Sequence, residues 1–269
     1  MGAQPAPPRD AATVVLLRDG AEGVEAYVLR RVRGMPFAGG MTAFPGGSVD
    51  PRDADASLGW AGPDPARWAG AFGTNERLAR SLLCAAVRET FEEAGVLLAG
   101  PSAVSVVDGS HPRWENDRVA LEGRELSLAE LLARRGLVLR ADLLRPWAHW
   151  ITPEGEPRRY DTRFFVAGVP AGQQAPDGSG AFSREADQVA WVRPADALAQ
   201  SERGERPMLP PTVVTLREIA AYDTVADVLA AGWDRDIEPV VPRLELGPDG
   251  NHALLPGGRR LELPPGFPR

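Results

Sequence analysis

The sequence predicts an α/β protein, because segments with strand-like patterns alternate along the chain with segments of helical periodicity. Residues 11–17 and 24–31 are apolar runs of β type on either side of a turn-rich connector, which predicts a β-hairpin. Residues 75–95 place apolar side chains at helical spacing and predict a long helix. With 269 residues, the chain can bury a sizeable core as one large domain or a domain with additions.

The segments that flank the hairpin are rich in proline and glycine. Residues 1–10 are predicted to form a flexible tail, and residues 34–47 a glycine-rich loop. Residues 54–73 carry tryptophan and proline and are interpreted as an insertion. A lid, a flap over an acyl group, a packed satellite and a dimer contact are alternative roles for this insertion.

The long helix carries the most informative pattern in the chain. Asn75 can cap its first turn, and Gly95 suits the left-handed position after its last turn. At about 100° per residue the apolar positions fall on one side, while Glu89, Glu92 and Glu93 cluster on another. The helix therefore has a predicted core face and a predicted acidic face.

The rest of the chain continues the alternation. Helices are predicted at residues 127–135, 194–201 and, with a break near Asp223, 209–233. Strands are predicted at residues 163–169 and 188–192, and a terminal hairpin at 243–263 with turns at 248–250 and 256–258.

Charge and cysteine content exclude several classes of function. A formal net charge of −7 and a pI near 5.2 leave no broad basic surface for nucleic acid. The single cysteine, Cys84, cannot form an internal disulfide, and no segment approaches the ~18 apolar residues that span a bilayer. We therefore expect a cytoplasmic protein without nucleic-acid or membrane partners.

The basic residues are all arginine, 30 in number, which excludes a catalytic or Schiff-base lysine. Guanidinium groups remain to recognise a phosphate through paired N–H donors. The lack of lysine beside much alanine, glycine and proline is typical of GC-rich coding and indicates a bacterial source.

The three glutamates of the helix repel one another by a few tenths of a kcal/mol per pair, so they need a compensating partner. One interpretation is a solvated acidic face. The other is a metal site, because the loop Phe44-Pro45-Gly46-Gly47 can bring backbone carbonyls close to a ligand and Mg²⁺ prefers oxygen donors. Such a metal would neutralise diphosphate oxygens and lower the pKa of bound water, which is enough to hydrolyse an acid anhydride.

The glycine loop and the acidic helix together resemble the Nudix superfamily, whose box reads Gly-x5-Glu-x7-Arg-Glu-U-x-Glu-Glu-x-Gly-U, with U a bulky apolar residue. Gly47 is followed after five residues by Asp53, and residues 88–96 match the second half except at Thr90. Between Asp53 and Arg88 lie 34 residues where the pattern has seven, so an insertion of 27 residues splits the box. The resemblance implies a Nudix-type α/β/α sandwich with a mixed central sheet, this insertion, and C-terminal helices and a hairpin.

The resemblance also implies roles for the matched residues. Glu92 and Glu93 are expected to bind Mg²⁺ or Mn²⁺, with Glu89 either a third ligand or the base that activates water. The Gly46 carbonyl is expected to be a further ligand, and Arg88 to orient the glutamates. The role of the aspartate that replaces the first glutamate of the box stays open.

Some relatives place an additional glutamate for metal or base duty where Glu185 lies. We expect Glu185 to be a further catalytic residue, and the alternative is a surface carboxylate in a polar loop at residues 173–187.

A narrower resemblance is to the coenzyme A diphosphatase branch. Residues 40–47 match the second half of its signature and Arg31 aligns in the first half, but Pro36 stands where a second arginine is expected. Residues 147–153 and 158–165 are similar to the peroxisomal acyl-coenzyme A diphosphatases. Arginines would clamp phosphates, and aromatic residues would stack on adenine or cover the pantetheine arm. The residues expected to bind substrate are Arg31, Arg33, Phe37, Phe44, Gly47, Trp150 and Arg159, with Arg158 and Trp147 as further candidates.

The sequence therefore predicts a metal-dependent diphosphatase with a Nudix domain at residues 11–205 and a segment packed on it at 206–269. Its expected partner is a small-molecule nucleotide, with coenzyme A or acyl-coenzyme A as the leading substrate, and a homodimer is considered as the assembly. NADH, ADP-ribose or a dinucleoside polyphosphate is an alternative substrate. A non-catalytic module that senses a nucleotide is the alternative of another class, which the intact glutamates disfavour.

Overall fold

The computed structural model describes residues 6–55, 57–109, 111–248, 250–264 and 267. A mixed central sheet lies between two layers of helices, which confirms the predicted α/β/α sandwich. The helices are α1 (Pro65–Ala71), α2 (Glu76–Ala94), α3 (Arg113–Glu122), α4 (Leu128–Arg135), α5 (Pro194–Glu202), α6 (Pro210–Ile219) and α7 (Val225–Ala231).

The strands belong to one large sheet and two small ones. In chain order they are β1 (Arg9–Gly20), β2 (Gly23–Arg31), β3 (Thr42–Ala43), β4 (Gly46–Ser48), β5 (Trp60–Ala61), β6 (Ala99–Gly100), β7 (Val138–Arg140), β8 (Leu144–Ile151), β9 (Tyr160–Gly168), β10 (Gly178–Ser183), β11 (Ala186–Val192), β12 (Pro239–Val240), β13 (Arg243–Gly247), β14 (Gly250–Leu254) and β15 (Arg260–Glu262).

The large sheet has the order β10-β11-β2-β1-β9-β8-β12, with β3 paired to β2 and β4 paired to β1. Strands β1 and β9 run parallel, as do β8 and β12, and the other pairs are antiparallel. The small sheets have the orders β5-β7-β6 and β13-β14-β15.

Alternate residues of β1 supply a core on each face of the large sheet, as the two-residue repeat of a strand requires. Val14 and Leu16 belong to the core shared with α1, α2 and α4, whereas Val15 and Leu17 belong to the core shared with α5, α6 and α7. Both faces are apolar, so the strand is buried along most of its length.

The predicted insertion at residues 54–73 is packed against the body of the protein. It contains β5 and α1, and Trp68 of α1 is fully buried with its ring 5.7 Å from Phe165 and 4.6 Å from Trp233, measured between centroids. Phe72 is also buried in this core. The segment therefore forms part of the helical layer on the α2 face.

Several predicted elements differ from the structure in extent. The predicted tail at residues 1–10 is too long, because β1 already begins at Arg9; residues 1–5 lie outside the described part of the chain. The terminal hairpin is a three-stranded sheet, and the predicted polar loop at 173–187 contains β10. Helices α1 and α3 and strand β8 have no counterpart in the prediction. Within the described ranges, no helix is long and apolar enough to cross a membrane.

Candidate active site

Helix α2 begins and ends at the predicted residues. The Asn75 side chain accepts a hydrogen bond from the Leu78 N–H, and Gly95 follows the last turn with a φ of 67°, in the left-handed region. Nearly the whole helix is buried, because α1, α3, β1 and β4 surround it. The box glutamates therefore do not form a solvated face: the side chains of Glu89 and Glu92 are 13% and 12% exposed, and Glu93 is 4% exposed.

Arg88 is the centre of a hydrogen-bond network that joins the two halves of the box. Its Nε and Nη2 donate to the two carboxylate oxygens of Asp53 at 3.1 and 3.0 Å, and Nη2 also donates to the Ser48 carbonyl at 3.0 Å. Its Nη1 donates to Glu89 at 2.7 Å and lies 3.4 Å from Glu92. Arg88 thus compensates three carboxylates at once.

Asp53 is brought to this network despite the insertion that separates it from α2. It lies in a short 3₁₀ turn, is 2% exposed, and accepts a hydrogen bond from the Asp50 N–H as part of a capping box. A buried carboxylate without a partner is unfavourable, and the paired donors of Arg88 supply that partner. The sequence left the role of Asp53 open, and the structure shows that Asp53 anchors Arg88.

Gly46 and Gly47 lie against the glutamates because β4 pairs with β1. The Gly46 N–H donates to Glu93 at 2.8 Å. A Cβ on Gly47 would lie 2.3 Å from Oε1 of Glu89. A side chain at this position would displace the Glu89 carboxylate from where it now lies.

Burial and mutual repulsion shift the protonation of all three glutamates. Burial, and then repulsion from Glu89, raises the pKa of Glu92 to about 7. The same two causes raise the pKa of Glu93 well above its ordinary value, and burial raises the pKa of Glu89 against the opposing charge of Arg88. Because each charge is unfavourable in this setting, the cluster is suited to hold a cation.

A cavity of about 470 Å³ opens beside this network. Of the residues expected to take part in catalysis or binding, those that line it are Arg31, Phe37, Phe44, Gly46, Gly47, Arg88, Glu89, Trp150, Arg158 and Glu185. Glu92 and Glu93 belong to the Arg88 and Gly46 network but do not line the cavity.

Two arginines expected to bind substrate lie elsewhere. Arg159 donates to the carbonyls of Thr152 and Ala6, so it ties the β8–β9 turn to the first described residues. Its neighbour Arg158 faces the cavity instead. Arg33 is exposed just before the glycine-rich loop and is absent from the lining, whereas Arg31 is present. Adjacent arginines point in different directions, and the sequence alone did not distinguish them.

The aromatic candidates also divide between cavity and core. Phe37 and Trp150 line the cavity, and the Phe37 ring packs edge-on against Tyr160 with centroids 5.2 Å apart. Trp147 is fully buried and does not line the cavity, and the Arg235 guanidinium lies 4.0 Å from its ring centroid. Trp147 is therefore a core residue.

Glu185 lies at the turn between β10 and β11, where its carbonyl accepts from the Val32 N–H and its carboxylate accepts from Arg31 at 3.2 Å. Its charge contributes to raising the pKa of both Glu89 and Glu93, and its side chain is 52% exposed. Glu185 thus lines the cavity together with Arg31 and Glu89.

Sequence reasoning did not identify the start of α6, at residues 209–212, as part of the cavity, and it did not find two further parts. One is Arg124, whose side chain is 78% exposed and whose backbone has a φ of 60°, rare outside glycine. Its carbonyl accepts from Arg52, which fixes this loop to the turn that contains Asp53. The other is a wall from the C-terminal sheet. Both lie far along the chain from the box and carry no motif.

The cluster fits a hard divalent cation in the kind of donor it offers. Buried carboxylates with raised pKa values gain from a cation, and Gly47 keeps the space beside Glu89 open. Within the described ranges, no three Asp, Glu, His or Cys side chains converge as a metal-binding group. The reason is that Glu89 and Glu92 are directed toward Arg88, whereas Glu93 accepts a hydrogen bond from the Gly46 N–H.

Comparison with known proteins shows which family the chain belongs to. The family model of the NUDT19 Nudix domain matches residues 74–219, more than half of the chain. The chain belongs to the Nudix hydrolases. This match begins just before α2 and continues through α6, so it includes the second half of the box, Glu185, and strands β8 to β11 of the large sheet.

Relatives of this Nudix hydrolase include the acyl-coenzyme A diphosphatase NUDT19 of Gallus gallus, which is 27% identical over 304 residues, with 93% of this chain and 78% of the relative covered. The protein of the same name from Homo sapiens is 28% identical over 278 residues, covering 88% and 72%. The crystal structure of a Nudix hydrolase from Alicyclobacillus acidocaldarius is 31% identical, covers 84% of this chain and 96% of that chain, and superposes with a TM-score of 0.69.

Proposed function

We propose that this Nudix hydrolase cleaves the diphosphate bond of coenzyme A derivatives, with acyl-coenzyme A as its substrate, and uses Mg²⁺ or Mn²⁺. The observation that carries the proposal is the buried network in which Arg88 holds Asp53, Glu89 and Glu92 at the floor of a cavity lined by further arginines. The names of the curated relatives supply the substrate class.

Glu92, Glu93, Glu89 and the Gly46 carbonyl are the proposed ligands of the metal. When bound, the metal would neutralise the diphosphate oxygens and acidify a water molecule. Arg88, itself anchored by Asp53, orients the glutamates, because its donors fix where two of their carboxylates lie. Glu89, the one glutamate of the three that lines the cavity, is the proposed acceptor of a proton from the attacking water, and Glu185 is the second candidate for that task.

Arg31 and Arg158 are the proposed partners of the substrate's phosphates. Both line the cavity, and among the described residues Arg31 donates from one nitrogen to the exposed Glu185, while its Nε is buried with no partner in that part of the chain. Phe37, Phe44 and Trp150 are proposed to cover the adenine or the pantetheine arm. Arg33 and Arg159 have no contact with the cavity, and we leave them out of the proposed site.

Residues 11–205 and 206–269 are proposed to act as one unit, because the cavity is lined by residues from both segments. A cytoplasmic location, a bacterial source and a homodimer remain predictions from the sequence.

A substrate panel tests the proposal. The purified protein is incubated with coenzyme A, decanoyl-coenzyme A, NADH, ADP-ribose and a dinucleoside polyphosphate, each with Mg²⁺, with Mn²⁺ or with EDTA. We expect the highest kcat/KM for the coenzyme A compounds and no turnover with EDTA. If NADH, ADP-ribose or the dinucleoside polyphosphate had the highest kcat/KM, that compound would replace coenzyme A as the proposed substrate. Tight metal-independent binding without turnover would favour the nucleotide-sensing alternative.

A further inference from the structure

The C-terminal sheet contributes a wall of the cavity that is made only of apolar side chains. We name this the C-terminal wall, and its residues are Pro242, Leu244, Ala253, Leu263 and Phe267. Leu244 and Ala253 lie opposite each other in the register of β13 and β14, so they form one continuous patch. This wall faces the same space as Gly47, Arg88 and Glu89.

The sheet that carries the wall is amphipathic. Leu244 is flanked along β13 by the exposed Arg243 and Glu245, and Leu261 is flanked along β15 by the exposed Arg260 and Glu262. Because successive side chains of a strand point to opposite faces, the apolar side chains lie toward the protein and the charged ones toward solvent. On the solvent face, Glu245 and Arg260 form an ion pair at 3.1 Å. The C-terminal wall is therefore the inner, apolar face of an amphipathic sheet, and it is suited to cover apolar groups.

The charges of the cavity come from other elements. Among the described residues, the charged side chains of the lining belong to Arg31, Arg88, Glu89, Arg124, Arg158 and Glu185. None lies in the C-terminal sheet. The cavity thus combines a charged part, formed largely by β2, α2 and neighbouring loops, with the apolar C-terminal wall.

We infer that the C-terminal wall binds the hydrocarbon chain of an acyl thioester and sets the preference of the enzyme for acylated over free coenzyme A. This inference rests on the proposed function. An adenine ring or a pantetheine amide would need hydrogen-bond partners when buried, and the side chains of this wall offer none. A hydrocarbon needs only apolar contact, and each buried methylene strengthens binding about fourfold.

The test compares hydrolysis of decanoyl-coenzyme A and of free coenzyme A by Leu244→Ala and by a matched control. The control is Leu246→Ala, which changes the same residue type on the same strand at a side chain that is 57% exposed and does not line the cavity. We expect Leu244→Ala to lower kcat/KM for the decanoyl substrate about tenfold and to leave free coenzyme A within twofold. Leu246→Ala should change neither.

Free coenzyme A is the internal control for folding, because an unfolded variant loses both activities. If Leu244→Ala unfolds, Leu244→Thr carries the same test, since threonine is favoured in strands. Equal loss on both substrates by a folded variant, or equal behaviour of the variants at positions 244 and 246, would overturn the inference while the proposed function stands. Failure of the wild type to hydrolyse any coenzyme A compound would instead remove the proposed function.

A binding measurement gives a readout that does not require turnover. Decanoyl-pantetheine lacks the diphosphate, so titration calorimetry can follow its binding to the intact protein. We expect saturable binding that Leu244→Ala weakens about tenfold and Leu246→Ala does not. No binding to the wild type would overturn the inference.

Discussion

The charged floor of the cavity and the C-terminal wall are built in opposite ways. At the floor, Arg88 fixes Asp53 and Glu89 through hydrogen bonds of 2.7 to 3.1 Å, so small displacements have large electrostatic consequences. At the wall, apolar side chains make contacts without directional bonds. Substitutions at the floor should therefore affect every substrate alike, whereas substitutions at the wall should affect only substrates with a hydrocarbon chain.

The largest effect is expected from Glu92→Gln, which keeps the shape of the side chain and removes its charge. Loss of a metal ligand removes several kcal/mol of transition-state stabilisation, so kcat/KM should fall about 10³-fold on free and acylated coenzyme A alike. Glu76→Gln in the exposed first turn of the same helix is the matched control and should retain activity. A loss of activity that is confined to the acylated substrate would contradict the expected difference between floor and wall.

Asp53→Asn should have the largest effect on stability. It leaves the buried Arg88 without its bidentate carboxylate, and breaking a buried pair in this way costs about 3 kcal/mol. Urea denaturation should show this decrease in the free energy of unfolding. Asp64→Asn, at an exposed residue whose side chain makes no capping hydrogen bond, should leave stability unchanged. Equal stability of both variants would show that Asp53 does not anchor the floor.

Gly47→Ala should lower kcat by about 10²-fold, because the added Cβ would displace a carboxylate that it meets at 2.3 Å. Gly34→Ala is the matched control in the glycine-rich loop, where a Cβ meets nothing within 4 Å. Steady-state kinetics on free coenzyme A measure both variants. Full activity of Gly47→Ala would mean that the position of Glu89 does not limit catalysis.

The smallest of the four effects is expected in the pH dependence of stability without metal. The pKa of Glu92 is raised from 4.5 to about 7, so its stabilising contribution is complete below pH 4.5 and is lost as pH rises through 7. In EDTA, Glu92→Gln should match the wild type at pH 4.5 and exceed it by about 2 kcal/mol at pH 8. Urea denaturation measures the free energy of unfolding of both proteins at each pH. If the two free energies changed with pH in parallel, the buried charge of Glu92 would not be unfavourable.

The sequence predicted the floor well because its elements are specified locally. Asn75 and Gly95 define α2 by their own capping chemistry, and the spacing of Glu89, Glu92 and Glu93 places them together on any helix. The burial of these glutamates was not predictable, since it depends on β4, which tertiary pairing with β1 brings against Glu89 and Glu93.

The wall was not predictable for a different reason. Leu244 and Leu263 lie about 150 residues or more beyond α2 in sequence, and their alternating pattern indicates only a strand with one apolar face. Strand β8 was missed as well, because Pro146 and a register shift between Pro146 and Ala148 interrupt its pattern. Which side chains face the cavity follows from tertiary packing alone, as Arg158 and Arg159 show.

The most direct test of metal-dependent diphosphate hydrolysis is ³¹P NMR of decanoyl-coenzyme A incubated with the wild-type protein and Mg²⁺. Cleavage of the diphosphate predicts that its two resonances disappear and that phosphomonoester signals of an adenosine bisphosphate and of decanoyl-phosphopantetheine appear. The reaction should stop when EDTA is added in excess and resume with further Mg²⁺. An intact diphosphate with loss of only the ribose phosphate, or cleavage that EDTA does not stop, would contradict it.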